Sequence, residues 1–186
     1  MEKKNYHRTI TVNASAAEAM KKISQINYWW KKDFSGSAEK LNDKFSIPFG
    51  EPSFVDFVVS EFVPEKKVVW KVTDCYLPWF QDKKEWNNTE VVFELSEDNG
   101  KTKIDFTHIG LVPEVECYDA CEKGWDGHVT GSLVKFINDG KNFGENEIFF
   151  KIICFNVTAF LSIASLSCIH FISLPSPYKY NDCKFF

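Results

Sequence analysis

The chain has 186 residues, 44% of them apolar and 26% charged, a length that suits one domain with or without an appendage. Its net charge is −4, with 22 basic and 26 acidic residues. Arg8 is the one arginine and the lysines lie scattered in pairs, so the concentrated basic patch of a nucleic-acid partner is missing.

Met1–Arg8 carries charges with no apolar run behind them, so no signal peptide is expected. A reducing, cytoplasmic setting follows, in which the 6 cysteines are thiols. Composition shifts near Phe143. Residues 142–186 hold three lysines and three acidic residues and are rich in Phe, Ile and Ser. The body before them can bury roughly two-thirds of its unfolded surface, enough for an independent core.

Tyr6–Val12 alternates, with Tyr6, Arg8, Ile10 and Val12 on one face, and predicts a first strand. Ser15 with Glu18 three residues on is a capping box, opening a short helix over Ala16–Ser24. Asn27–Trp30 predicts a second short helix or turn. Strand signals follow at Lys44–Ile47, Ser53–Val63, Lys67–Asp74, Glu90–Ser96 and Lys101–Ile109. In the last three, Val68/Trp70/Val72, Val91/Phe93/Leu95 and Ile104/Phe106 face inward. Lys71, Thr73, Glu90, Glu94, Lys103 and Asp105 face water. Asn99-Gly100 marks a hairpin, and links of that length force antiparallel pairing. The result is an α+β layer with helices on one face of a curved sheet.

Tyr118–Asp139 reads as one long amphipathic helix. At about 100° per residue, Tyr118, Cys121, Trp125, Val129, Ser132, Leu133 and Phe136 share roughly a third of the circumference and pack on the sheet. Gly124, Gly127 and Gly131 fall opposite, each costing about 0.5–1 kcal/mol relative to alanine. Two readings of them stand: close approach of another backbone, or a helix that kinks or starts after Gly124. Gly140 is the C-cap.

Asn27-Tyr-Trp-Trp30, Glu85-Trp86, Val92-Phe93, the run Phe106–Cys121 with its Phe-Thr-His-Ile-Gly-Leu-Val-Pro-Glu core, and Gly124-Trp125…Gly131-Ser-Leu133…Gly140-Lys141 together carry a resemblance. Over about residues 5–141 the chain resembles a bacterial branch of the START-like, or SRPBCC, superfamily, labelled as homologues of the activator of the heat-shock chaperone ATPase. The resemblance implies a helix-grip fold: a curved antiparallel sheet around a long C-terminal helix, with an apolar pocket between them. It also implies an apolar small molecule as ligand (lipid-, sterol- or polyketide-like), a chaperone as the second partner, or polyketide cyclase-like chemistry in the same pocket. Fold does not choose among these. Such proteins usually finish soon after the Gly-Lys that stands here at 140–141, so residues 142–186 form an extension the resemblance does not cover.

Trp70, Phe93, Phe106, Trp125 and Val129 should meet between sheet and helix. From the residues alone they make a filled core; the family shifts the reading toward a cavity they line. Trp79, in the long link Cys75–Asn88, gates its mouth with Phe80 or simply covers the sheet edge. His108 ends an inward row, where it orients a ligand or is satisfied by a backbone carbonyl. Cys121 completes the pocket set. Cys117, Cys121 and His128 share a helix side, but residues 121 and 128 lie about 10 Å apart along the axis, too far for one metal. No cofactor, metal or catalytic residue is assigned. Nucleophile elbow, phosphate loop and zinc-protease motifs are absent from the sequence. Glu114 and Glu116 are best placed to favour the helix N-terminal dipole.

Ile152–Ile169 contains no charged residue, just the length of a membrane span, although Asn156, Thr158 and three serines weaken it. Three readings stand: a tail anchor with residues 148–174 inserted, extra strands, or an extension that is not an evolved part of the domain. The last is favoured.

Overall fold

The computed structural model describes residues 4–140. The tail readings for residues 142–186 therefore lie outside the described residues. Among the described residues no helix is long and apolar enough to cross a membrane.

The strands are β1 (Tyr6–Val12), β2 (Ser35–Gly36), β3 (Lys44–Pro48), β4 (Phe54–Val63), β5 (Lys67–Tyr76), β6 (Glu90–Asp98) and β7 (Lys101–Ile109). They form one antiparallel sheet in the order β1-β7-β6-β5-β4-β3-β2. The two-residue β2 carried no sequence signal of its own. Asn99 (φ 52°) and Gly100 (φ 78°) turn β6 into β7, both left-handed as a type I′ turn requires. Register then follows from pattern. Phe93 sits opposite Phe106 and Val91 opposite His108, all buried on the inner face. Val69 and Val92, paired across the outer face, are also buried.

The short helix α1 (Ala16–Ser24) starts where the Ser15 hydroxyl accepts the Glu18 amide at 3.2 Å. Asn27–Trp30 is represented by a 3-10 turn over Ile26–Tyr28. The long helix runs over Tyr118–Asp139, as its periodicity predicts, but in three pieces. They are α2 (Tyr118–Trp125), a π-helical stretch (Asp126–Leu133) and α3 (Val134–Asp139). In the π-stretch the Thr130 hydroxyl donates to the Asp126 carbonyl at 2.6 Å, competing with the ordinary α-helical backbone bond there.

The π-stretch alters the face assigned from 100° steps. Bonds from i to i+5 advance each residue by less, so Trp125, Val129 and Leu133 align at spacing four and His128 joins them inside. Ser132 is only half-buried, and Gly124 is buried instead of facing out. A β-carbon added at Gly127 or Gly131 would meet nothing within 4 Å, so no close backbone explains those two glycines. Gly140, at φ 68°, ends the helix and donates its amide to the Phe136 carbonyl at 3.1 Å. Lys22 of α1 donates to the Phe136 and Ile137 carbonyls at 3.2 and 3.0 Å.

The helix is tied to the sheet edge by Arg8. Its guanidinium donates to Asp126 at 2.7 and 3.1 Å and to Glu122 at 3.1 Å, and Tyr6 donates its hydroxyl to Asp126 at 2.6 Å. Burial alone would raise the Asp126 pKa, but the bonds from Arg8 and Tyr6 outweigh it and hold the carboxyl below its usual range.

Candidate ligand site between sheet and helix

The inner face of the sheet meets the long helix through a row of aromatic rings. Trp70 on β5 lies 5.0 Å from Phe93 on β6, ring centre to ring centre, and Phe93 lies 5.0 Å from Phe106 on β7. Phe106 lies 4.8 Å from Trp125 on the helix. Trp30 enters after the 3-10 turn, 4.7 Å from Trp125 and stacked on Trp70 at 6.3 Å. These edge-on and offset contacts are the favoured geometries for aromatic pairs.

Seven of the eight residues expected to line a pocket are therefore buried together: Trp70, Phe93, Phe106, His108, Cys121, Trp125 and Val129. Trp79 is not with them. It is half-buried on the loop 77–89, edge-on to Phe80 at 6.0 Å. The rings of the row touch one another across the interior. Among the hollows formed by described residues are three that none of these eight lines. They lie between α1 and the β4–β5 turn, on the outer sheet face, and beside β2.

Within the row one polar atom stands out. The Trp70 indole nitrogen is buried and has no hydrogen-bond partner among the described residues. An unmade bond at a buried donor costs about 1–3 kcal/mol, so it needs a physical reason.

His108 is in the opposite condition. The Trp125 indole N–H donates to its Nδ1 at 3.0 Å, and its Nε2 stands 3.0 Å from the Thr89 hydroxyl oxygen. That hydroxyl donates onward to the Trp86 carbonyl at 2.7 Å, so the proton between His108 and Thr89 belongs to His108 Nε2. Both ring nitrogens are thus engaged, by side chains and not by a backbone carbonyl. Burial pushes the His108 pKa down to about 3, so the ring is neutral. His128 is also held neutral: burial lowers it to about 4, partly opposed by a bond with the Trp29 backbone.

The loop 77–89 closes the row at its end. Trp86 stacks on Trp125 at 6.1 Å and sets its edge against His108 at 4.7 Å. Its indole N–H donates to the Cys117 thiol at 3.3 Å. Cys117 bonds Cys121 and is buried, and both effects raise its pKa, which keeps it a thiol. Among the described residues no three His, Cys, Asp or Glu side chains stand where they could hold a metal ion.

The helix start is also organised by the loop. Glu85 accepts the amides of Glu116 and Cys117 at 2.6 and 2.9 Å. The Glu116 carboxylate, expected to favour the helix dipole, instead accepts the Gln81 amide at 2.7 Å. Sequence reasoning missed Glu85, Trp86, Trp29 and Trp30 as site residues. The signal was the density of tryptophan in two loops, where large rings are costly to expose.

A search of curated protein sequences returned no match. Solved structures do match. The Aha1 dimer from Colwellia psychrerythraea, known in solution, superposes with a TM-score of 0.60 at 21% identity, over 75% of this chain and 99% of that one. CalU16 from Micromonospora echinospora gives 0.53 at 14%, over 84% and 85%. DynU16, a putative protein in the dynemicin biosynthetic locus, gives 0.56 at 16%, over 73% of this chain and 48% of its own. At such identities these likenesses establish the helix-grip fold alone. That fold is consistent with a ligand-binding module or a polyketide cyclase-like protein. The model for "Activator of Hsp90 ATPase homolog 1-like protein" matches residues 18–138, more than half of the chain. The chain therefore belongs to that family, within the START-like superfamily.

Proposed function

We propose that this protein is a non-catalytic binding module that holds an apolar small molecule against the aromatic row between sheet and helix. The observation that carries the reading is the Trp70 indole N–H, a buried donor with no acceptor among the described residues, set among rings. An apolar ligand bearing one acceptor oxygen would complete that bond and stack on the neighbouring rings. Entry requires some of the rings to move, since they touch one another. A catalytic role would need a free acid or base facing the row: the Trp70 indole N–H is neither, and His108 has both nitrogens engaged.

Native mass spectrometry of gently purified protein tests the reading, together with a thermal-shift panel of apolar ligands with and without a carbonyl. Carbonyl-bearing ligands should raise the melting temperature, and Trp70→Phe should abolish their advantage over hydrocarbon analogues. Absence of any bound or stabilising ligand across the panel rejects it.

Family membership favours a second reading, an accessory factor for a chaperone ATPase. It predicts stimulated ATP hydrolysis by the cognate chaperone, and no stimulation at saturating protein discards it.

A further inference from the structure

The link 77–89 is joined to the helix by an exchange of bonds in both directions. Glu85, on the loop, caps two amides at the helix start, Glu116 at 2.6 Å and Cys117 at 2.9 Å. Glu116, before the helix, caps the Gln81 amide of the loop at 2.7 Å. Each carboxylate thus satisfies backbone donors on the other element.

The loop has its own internal packing. Leu77 donates its amide to the Lys83 carbonyl at 2.9 Å and Asn87 donates its amide to the Lys84 carbonyl at 2.8 Å, while the Asn87 side chain ties the loop to Asp74 on β5 at 3.4 Å. Asn88 sits at φ 65°, a left-handed conformation that few non-glycine residues adopt, at the point where the loop returns to the sheet. What the loop carries inward is Trp86, the end member of the aromatic row, seated on Trp125 and His108.

We infer that loop 77–89 is a flap over the end of the aromatic row, latched shut by the Glu85–Glu116 exchange, with Trp86 as its plug. The inference rests on the binding reading above, because a flap matters only if something enters. It shifts the gating role from Trp79 and Phe80 to Trp86. Swinging the Glu85–Trp86 side of the flap outward breaks the three carboxylate–amide bonds and the indole–thiol bond, and it strains the ties of Lys84 and Asn87 to Asp74 on β5; it uncovers Trp125 and His108 next to each other. Two of the three amides precede or begin a helix and can be solvated once exposed, so opening is a local event.

Hydrogen exchange on the full chain, with and without Glu85→Ala, tests the latch without any ligand. Exchange in residues 77–89 and 115–118 should rise about tenfold, while the amides of β6 and β7 keep their protection. Glu116→Gln should act in the same direction, more on residues 79–82. Stopped-flow binding of 1-anilinonaphthalene-8-sulfonate then tests the flap. Its association rate should rise about tenfold in Glu85→Ala, with equilibrium affinity changed by less than about threefold. Exchange that rises equally through β5, β6 and β7 overturns the latch, since the variant would then only destabilise the fold. Faster loop exchange with an unchanged association rate overturns the flap. If the wild type binds neither this dye nor any ligand of the panel, the binding reading fails and the flap with it, while the exchange data still decide whether the latch exists.

Discussion

Acidification from pH 7 to pH 5 should weaken the fold chiefly through two histidines. His108 is fully buried and His128 nearly so, and burial depresses their pKa values to about 3 and about 4. In the unfolded chain a histidine titrates near 6.5. Between those values the unfolded state binds the extra proton, so stability is full above about 6.5 and is lost as pH falls toward the folded pKa. Each histidine then removes about 2 kcal/mol between pH 7 and pH 5, and the pair about 4 kcal/mol. Carboxylates contribute little in that window because their unfolded pKa values lie near 4.

Urea unfolding followed by tryptophan fluorescence reads this directly, with the midpoint expected about 1–2 M lower at pH 5 than at pH 7. His108→Gln keeps an acceptor for the Trp125 indole and a donor for Thr89 but cannot titrate. Whatever its stability at pH 7, its loss between pH 7 and pH 5 should be about half that of the wild type. An identical midpoint at both pH values would refute the neutral burial of these rings. An undiminished loss in His108→Gln would refute the share assigned to His108.

Gly127→Ala and Gly131→Ala should be neutral or raise stability by up to about 1 kcal/mol, because a β-carbon at either meets open space and alanine is the better helix former. A fall in melting temperature would instead point to a contact on that face. Gly110→Ala should cost about 1–3 kcal/mol: the position sits at φ +98° and its β-carbon would fall 2.8 Å from the Thr89 methyl. Thermal unfolding measures both. Arg8→Lys should cost about 0.5–1 kcal/mol, since an ammonium cannot reproduce the forked contact with Asp126. The partners are 36% and 40% exposed, so solvent screening keeps the figure small, and 1 M salt should shrink it further.

Much of the architecture was legible in residue pattern. β1, β7, α1 and the ends of the long helix fall where alternation, the Ser15 cap and Gly140 placed them. The burial of Val68, Trp70 and Val72 followed from a period of two. The inward residues of the helix were harder to read, because 100° steps assume α-helical turns and the stretch Asp126–Leu133 is a π-helix. Ser132, expected in the inward stripe and only half-buried, was misplaced for that reason. His108 was legible as buried and polar; its partners, Trp125 from the helix and Thr89 from before β6, were not.

The sequence by itself determined the α+β class, the β6–β7 hairpin register and the inward alternation along β5, β6 and β7, because those depend on local periodicity and on turn residues close in the chain. Only the tertiary structure decided what the interior residues do to one another. Trp30, Trp86 and Trp125 lie far apart along the chain and meet through the curvature of the sheet. The Glu85 carboxylate finds the helix start 31 and 32 residues away. Local pattern carries no record of such distant pairings, since each depends on how whole elements pack. It is there that the structure brought the core aromatics into one row with Trp86 at its end.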